Sequence, residues 1–315
     1  MNQDKFSIIL PVYNRENTIK GCIDSILSQS YTELELLIVK VTTEDHTWKI
    51  CKKYAGKDNR VKLIDNRETT PGSAMNQALK IAEGRWLLFI DGADEMASDY
   101  LRKLYEKQQK KYAPLLVSNF CYKDREGEMA YSEKAEGEIS RETYMQQLMK
   151  DPTHVYFGAL WNKLYDAELI QKHAMTFPEK VQWGEDFIFN MQYLAFAETV
   201  YIKDLVSCYY TTRDMTADIT GEWHLIDWLN HRNYMYAAYK TLFWRVQCYT
   251  TYKREVEHYM LQQAAIEFAH IILPFSFKGW CLIRKKCLQD NQLNTVRNRL
   301  WVMIKGVKLR FGVSS

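Results

Sequence analysis

Two groups of carboxylates stand at places in the sequence where they could do chemistry. Asp91 and Asp94 follow the apolar run Trp86–Ile90, and Glu185 and Asp186 precede a run with helical spacing. Carboxylates at a strand end can hold a divalent cation that stabilises developing negative charge, and an ionised carboxylate near a hydroxyl can act as a general base. The simpler alternative is that the first pair forms a turn and a helix cap, and the second an ordinary acidic pair at a helix N-terminus.

Up to about Asp94, apolar runs alternate with stretches of helical periodicity. Continuous apolar runs predict strands buried on both faces, and so a parallel sheet covered by crossover helices. We predict strands at Phe6–Val12, Glu35–Val41, Val61–Ile64 and Trp86–Ile90. Ligands of such α/β sheets bind beyond the carboxyl ends of the strands. Asn14, Val41 and Asp91 all fall at this edge.

Beyond Asp94 the pattern becomes mixed and then helical. We predict helices near Ser98–Lys111, Ser140–Met149 and Phe187–Ala197, and strands near Pro114–Tyr122 and Thr199–Tyr210. Strand signals vanish after about Thr220, where apolar residues follow helical spacing. The boundary is therefore expected between Arg213 and Gly221, with an α/β domain at 1–215 and a helical C-terminal region at 216–315.

The composition indicates a folded globular protein. Of the 315 residues, 47% are hydrophobic and 26% charged, and the 13 Gly and 6 Pro form no low-complexity tract, which excludes disorder of the whole chain. The longest apolar runs fall short of the roughly 18 residues of a membrane span, and the N-terminus has no signal-peptide pattern. The seven cysteines include no C-x-x-C pair, which favours reduced thiols and a cytoplasmic location.

The C-terminal end is basic. From Lys278 onward the chain has nine Lys or Arg residues and one Asp, although the net charge of the whole chain is only +3. Apolar residues recur there at helical spacing: Leu293, Val296, Leu300, Ile304, Val307 and Phe311. This pattern predicts a basic amphipathic helix, which could lie on the anionic inner face of a membrane or dock its apolar side on the protein. No nucleic-acid motif accompanies the charge, so no nucleic-acid partner is expected.

Four segments, in this order and spacing, resemble the family 2 glycosyltransferases of the nucleotide-diphospho-sugar (GT-A) fold. They are SIILPVYNRENTIKGCIDSILSQSY at 7–31, ELLIV at 35–39, WLLFIDGADEM at 86–96 and WGEDFIFN at 183–190. The resemblance implies a Rossmann-like, mostly parallel sheet with flanking helices. It also implies transfer of a sugar with inversion, assisted by Mg²⁺ or Mn²⁺, from a nucleotide-sugar donor, by preference a UDP-sugar, to a glycan or lipid-linked acceptor.

The resemblance further implies roles for individual residues. The positions that match the nucleotide-binding pattern are Pro11, Tyr13, Asn14, Glu16 and Asp91. Asp91 and Asp94 correspond to the cation site, and the acceptor site is matched by Trp183, Glu185 and Asp186, with Asp186 as general base. A base must be ionised, and the unpaired N–H groups at the start of a helix would favour the anion. For Tyr13, a packed aromatic at a strand end is the alternative.

Three positions depart from the family pattern. Ala93 stands where the D-x-D motif has its second Asp, Val41 replaces one of an Asp pair after the second strand, and Met75 replaces an Arg near the diphosphate. Lys40 could supply part of the missing positive charge, although a single lysine at a strand end is usually a solvated surface residue.

Two functions follow from this mixture of intact and altered motifs. The first is an active glycosyltransferase that builds a surface polysaccharide or glycan, with Asp91 and Asp94 holding the cation and Asp186 as base. The second is a catalytically impaired, glycosyltransferase-like protein that binds or scaffolds an active transferase. The three replacements motivate the second function, whereas the intact PVYN and WGED segments favour the first.

Overall fold

The chain divides into two compact units, residues 1–212 and 213–315. The computed structural model describes residues 4–41, 43–65, 70–123, 129–131, 135–150, 155–179, 181, 184–211, 225–248, 250–254 and 256–257. The predicted C-terminal amphipathic helix at 293–311 and the candidate acceptor residue Trp183 lie outside these residues.

A mixed sheet forms the centre of the first unit. Its strands in chain order are β1 (Phe6–Val12), β2 (Leu34–Lys40), β3 (Val61–Ile64), β4 (Trp86–Phe89), β5 (Glu95–Met96), β6 (Leu115–Lys123), β7 (Met129–Tyr131), β8 (Gly137–Ser140), β9 (Lys163–Asp166) and β10 (Thr199–Thr211). Their order across the sheet is β3-β2-β1-β4-β9-β6-β10-β5, with β7 beside β6 and β8 beside β10. The strands β1 to β4 are parallel, which confirms the predicted α/β fold.

Helices cover this sheet. In chain order they are α1 (Ile19–Leu27), α2 (Thr47–Ala55), α3 (Pro71–Ile81), α4 (Tyr100–Lys110), α5 (Arg141–Lys150), α6 (Val155–Gly158), α7 (Ala167–Lys172) and α8 (Glu185–Leu194). The start of α3 shows why a helix begins there: the Thr70 side chain accepts a hydrogen bond from the Ser73 N–H, and Pro71 occupies the first turn. An oxygen-bearing cap and an N-terminal proline both favour helix initiation.

The core lies where the continuous apolar strands meet α1. Every residue of β4 is buried, as are all of β2 but its last residue. The helix α1 packs Ile19, Cys22, Ile23 and Ile26 into the same cluster. Such two-sided burial is what the unbroken apolar runs predicted.

The strand β9 was not predicted from the sequence. It lies antiparallel between β4 and β6, and its four residues, KLYD, are all buried. Two of them are charged, and so neither an apolar run nor an alternating pattern marks the segment.

In the second unit the structure describes one long helix, α9 (Leu225–Arg245). Its buried residues recur at helical spacing: Met235, Ala238, Tyr239, Leu242 and Phe243. Among the helices within the described ranges, none combines the length and apolar character needed to cross a membrane.

Candidate functional site

The strand order identifies one edge of the sheet as the place for a ligand. The chain runs outward from β1 to β2 and β3 on one side, and then returns to place β4 on the other side of β1. In open α/β sheets, ligands bind beyond the carboxyl ends of the strands at the point where the order reverses. Here that point is the crevice between β1 and β4, which is bordered by the loops that follow these two strands.

The loop after β1 is tied to the loop after β2. Asn14 has a left-handed backbone, with φ of 44°, and its Oδ1 accepts a hydrogen bond of 3.0 Å from the Glu44 N–H. The carboxylate of Glu16 accepts another of 3.0 Å from the His46 N–H. The intervening loop therefore has a defined shape, from which the Tyr13 side chain projects with 52% of its surface exposed. An exposed ring on a held loop suits stacking against a base.

Pro11, the remaining predicted nucleotide contact in this region, lies inside β1 opposite Val39 of β2. The neighbouring side chain of Lys40 forms an ion pair of 3.3 Å with Asp65 and lies over the Trp48 ring at 5.7 Å. Lys40 is thus engaged by its own neighbours.

Asp91 lies beyond β4 and contacts the loop after β1. Its Oδ1 accepts hydrogen bonds from the Arg15 Nε–H at 3.2 Å and the Ala93 N–H at 2.9 Å. Gly92 permits this approach, because a Cβ there would lie 3.2 Å from both Arg15 Cγ and Ile19 Cδ1. The hydroxyl of Thr18 also donates to the Gly92 carbonyl at 2.8 Å. This ion pair and this hydrogen bond help to join the ends of β1 and β4.

These residues fit a two-carboxylate cation site poorly. Asp94 is only 1% exposed, whereas the Asp91 side chain is 44% exposed and already bonded to a guanidinium. No group of three or more His, Cys, Asp or Glu side chains suited to a metal occurs in the part of the chain that the structure describes. A guanidinium, rather than a second carboxylate, lies beside Asp91.

The acidic pair Glu185–Asp186 occupies the first turn of α8, where the sequence placed it. The helix begins after Gly184, whose φ is 80°. Asn190 anchors the helix, because its amide donates to the Gly158 carbonyl at 2.7 Å and its Oδ1 accepts from the Tyr165 hydroxyl at 2.7 Å. The position of both carboxylates is thereby set by buried contacts.

Burial dominates the electrostatics of this pair. It raises the pKa of Asp186 to about 7; the nearby Lys163 ammonium opposes this rise and the charge of Asp91 adds to it. Burial and then the charge of Asp186 raise the pKa of Glu185 to about 8. The loss of hydration therefore outweighs any stabilisation of the anion by the N–H groups at the start of the helix.

Lys163 is the buried cation of this site. Its side chain is inaccessible to solvent, and its Nζ donates to the carbonyls of Tyr156 and Ala159 and to Oδ1 of Asn162, at 2.8, 2.5 and 2.9 Å. Burial lowers the pKa of Lys163 to about 7, and the charge of Asp186 counteracts this. Asp91, Asp186 and Lys163 therefore belong to one electrostatic cluster.

The segment before the acidic pair is held against α3. Asn76 accepts a hydrogen bond from the Phe177 N–H at 2.8 Å and donates to the Phe177 carbonyl at 2.9 Å. The Phe177 ring stacks on Phe189 of α8, with centroids 4.0 Å apart. The neighbouring Met75 is 2% exposed and Val41 is 6% exposed, so these two replacements are buried apolar residues.

Two residues at this site were missed by the sequence analysis. Arg15 lies within PVYNR, and Lys163 lies within ALWNKLYDAEL. A cation directly after the first strand is a usable signal for Arg15. For Lys163 the signal is a lysine inside an otherwise apolar stretch, since lysine is almost never fully buried without partners.

Comparisons with known proteins agree with this fold. The model of the family described as glycosyl transferase family 2 matches residues 7–173. The chain is 29% identical over 217 residues to the uncharacterized glycosyltransferase EpsJ of Bacillus subtilis, covering 68% of this chain and 62% of EpsJ. It is 28% identical over 243 residues to glycosyltransferase GlyA of Streptococcus pneumoniae, covering 73% of this chain and 34% of GlyA. The matches thus span less than two thirds of either relative.

A solved structure gives the same result for the fold. The crystal structure of S. aureus TarS 1-349 in complex with UDP-GlcNAc superposes with a TM-score of 0.69 at 19% identity, covering 98% of this chain and 90% of that one. At this identity the likeness supports the GT-A fold, with its sheet and flanking helices.

Proposed function

Because the chain belongs to glycosyl transferase family 2, we propose that it transfers a sugar from a nucleotide-sugar donor to an acceptor hydroxyl with inversion, in the synthesis of a cell-surface polysaccharide or glycan. The observation that carries this proposal is the electrostatic cluster at the switch-point edge. A carboxylate with a pKa near 7, Asp186, interacts there with Asp91 beyond β4.

Asp186 acts as the general base in this mechanism. Its carboxylate takes the proton of the acceptor hydroxyl while the hydroxyl oxygen bonds to the anomeric carbon. The bond between that carbon and the diphosphate oxygen breaks, and the electron pair leaves with the diphosphate. One displacement from the opposite face inverts the configuration. A pKa near the working pH gives a base that is both ionised and able to accept a proton.

The two neighbouring carboxylates titrate together. Burial raises the pKa of both, and the charge of Asp186 raises that of Glu185 further, so the pair retains a proton near neutral pH while one carboxylate is free to act as a base. When two acids interact this strongly, the proton belongs to the pair rather than to one residue. Glu185 is 9% exposed, and its Oε2 makes no hydrogen bond within the described residues.

A UDP-sugar is the favoured donor, and a glycan or lipid-linked sugar the favoured acceptor. The structural likeness to a TarS crystal structure in complex with UDP-GlcNAc supports the first choice. The basic C-terminal pattern supports an acceptor at the inner face of a membrane. The mechanism contains no metal-bound step, because Arg15 occupies the place beside Asp91.

A second candidate is a catalytically impaired partner of an active transferase. It is favoured by Val41 and Met75, which are buried apolar residues at positions where the family pattern has charged ones. In that case the chain would retain the fold and the acceptor-side cluster while lacking donor affinity.

The Asp186→Asn variant tests the first candidate. Nucleoside diphosphate release is measured with a panel of nucleotide sugars and with simple glycans and lipid-linked sugars as acceptors. We expect kcat to fall by about a hundredfold or more, which is typical for loss of a general base. Glu198→Gln is the matched control, because it removes one exposed carboxylate and should leave kcat unchanged.

Two results would count against this assignment. Unchanged turnover in Asp186→Asn removes Asp186 from the mechanism. Absence of release by the folded wild-type protein across the whole panel favours the impaired partner.

A further inference from the structure

The crevice between β1 and β4 holds a fixed cation of the protein itself. Arg15 follows β1, Asp91 follows β4, and the two side chains meet at 3.2 Å. We propose that the Arg15 guanidinium binds the diphosphate of the donor here and replaces the divalent cation, so that nucleotide binding is independent of metal. This inference rests on the proposed function, since it names the group that meets the donor.

The geometry prepares the guanidinium for an anion. Its Nε donates to Asp91 and its Nη1 to the Asn14 carbonyl at 3.3 Å, while Nη2 makes no hydrogen bond to any described residue. The side chain is 22% exposed, so part of it is open to solvent. The planar fork of arginine matches phosphate oxygens, and a guanidinium already held by other contacts loses little freedom on binding.

The surroundings favour Arg15 over other cations. Lys40 pairs with Asp65, and the family's arginine position is taken by the buried Met75. The family's second metal-binding carboxylate is replaced by Ala93, whose N–H instead donates to Asp91. A divalent cation at Asp91 would have to displace Arg15 or lie against a like charge, which is unfavourable.

The experiment is a calorimetric titration of the full-length protein with UDP, and then with GDP, CDP, ADP and dTDP. Each titration is run with EDTA and again with Mn²⁺. The variants are Arg15→Gln, Arg15→Lys and the control Lys20→Gln, which removes one positive charge from an exposed position on α1. Thermal melting of each variant establishes that it is folded.

The inference expects the same Kd for the wild type in EDTA and in Mn²⁺. Arg15→Gln should raise that Kd by about tenfold to a hundredfold in both buffers, as loss of a hydrogen bond to a charged group does. Arg15→Lys should recover part of the affinity, because it keeps the charge and loses the fork. Lys20→Gln should bind as the wild type does.

Two other outcomes overturn the inference in distinguishable ways. Binding that needs Mn²⁺ and disappears in EDTA refutes metal independence and leaves the proposed transferase standing. If the folded wild type binds no nucleotide in either buffer, the proposed function is refuted, and the inference with it. The comparison of the wild type in EDTA and in Mn²⁺ tests metal independence without any variant. This part of the test therefore stands even if the Arg15→Gln protein fails to fold.

Discussion

Replacing Asp186 by Asn should make the protein more stable at neutral and alkaline pH while removing its activity. In the folded protein Asp186 keeps its proton until about pH 7, whereas a carboxyl with the ordinary pKa of 3.8 ionises far earlier. Between these two values the folded state binds more protons than the unfolded chain, so the free energy of unfolding falls as pH rises. Because Asn does not ionise, the free energy of unfolding of the variant does not fall with pH for this reason.

The magnitude follows from the size of the pKa change. Each tenfold change in proton affinity corresponds to about 1.4 kcal/mol, so a rise of about three powers of ten gives an upper bound of about 4 kcal/mol. The residue is only partly buried, and solvent screening reduces this effect. We therefore expect the variant to gain about 2 kcal/mol at pH 8 relative to pH 5.

Two neighbours of Asp186 bear on this figure. Loss of the Asp186 charge eases ionisation of Glu185, which adds to the gain. Lys163 loses its counter-charge but is mostly neutral at pH 8, because its pKa is about 7, so this loss costs little.

The assay is urea unfolding of wild type and variant at about pH 5 and about pH 8, with Glu198→Gln as the control for removal of a carboxylate. Differences between proteins at one pH cancel the titration of every other group that the substitution leaves alone. The reasoning is refuted by an equal stability difference at both pH values, or by a variant that is less stable at pH 8.

Three further substitutions probe the same edge of the sheet. Lys163→Met should move the acid limb of the pH–activity profile to higher pH, because the cation that lowers the pKa of Asp186 is gone. The free energy of unfolding of this variant should also fall by about 1 to 3 kcal/mol, since the buried oxygens that Lys163 contacts lose their donor. Tyr13→Ala should weaken UDP binding by about 1 to 3 kcal/mol, the usual cost of losing a stacked base, with unchanged melting because the ring is exposed. Ala93→Asp should make UDP binding respond to Mn²⁺ in calorimetry by giving Asp91 a second carboxylate; an unresponsive variant would mean that the crevice rejects a metal–diphosphate complex.

The parallel half of the sheet was predictable because the sequence of each strand alone indicates that the strand is buried. The runs FSIILPV and WLLF are apolar at every position but one, Ser7, and such runs have few alternatives to a strand buried on both faces. The strand β9 gave no such signal, because Lys163 is buried within it. Its burial depends on three oxygens supplied by the preceding turn, and these contacts become visible only in the folded chain.

In the candidate site, too, some features were predictable from the local sequence and others depend on tertiary contacts. The position of Asp186 in the first turn of α8 followed from local pattern, and the structure confirms that placement. The direction of its pKa shift did not, since the expectation considered the N–H groups of the helix and left out burial by the rest of the fold. The contact between Arg15 and Asp91 joins residues 76 positions apart, and spacing along the chain gives no measure of such a tertiary ion pair.

The three departures from the family pattern make sense together as a change in charge balance. Relative to that pattern, Lys40 and Val41 replace the two carboxylates after the second strand, Ala93 replaces one in the cation motif, and Met75 replaces a guanidinium. Of these carboxylates, the one replaced by Ala93 belongs to the cation motif, so a site that dispenses with the cation has no need of it. What remains at the crevice is Asp91 with Arg15 against it at 3.2 Å, a pair that is neutral before the donor arrives.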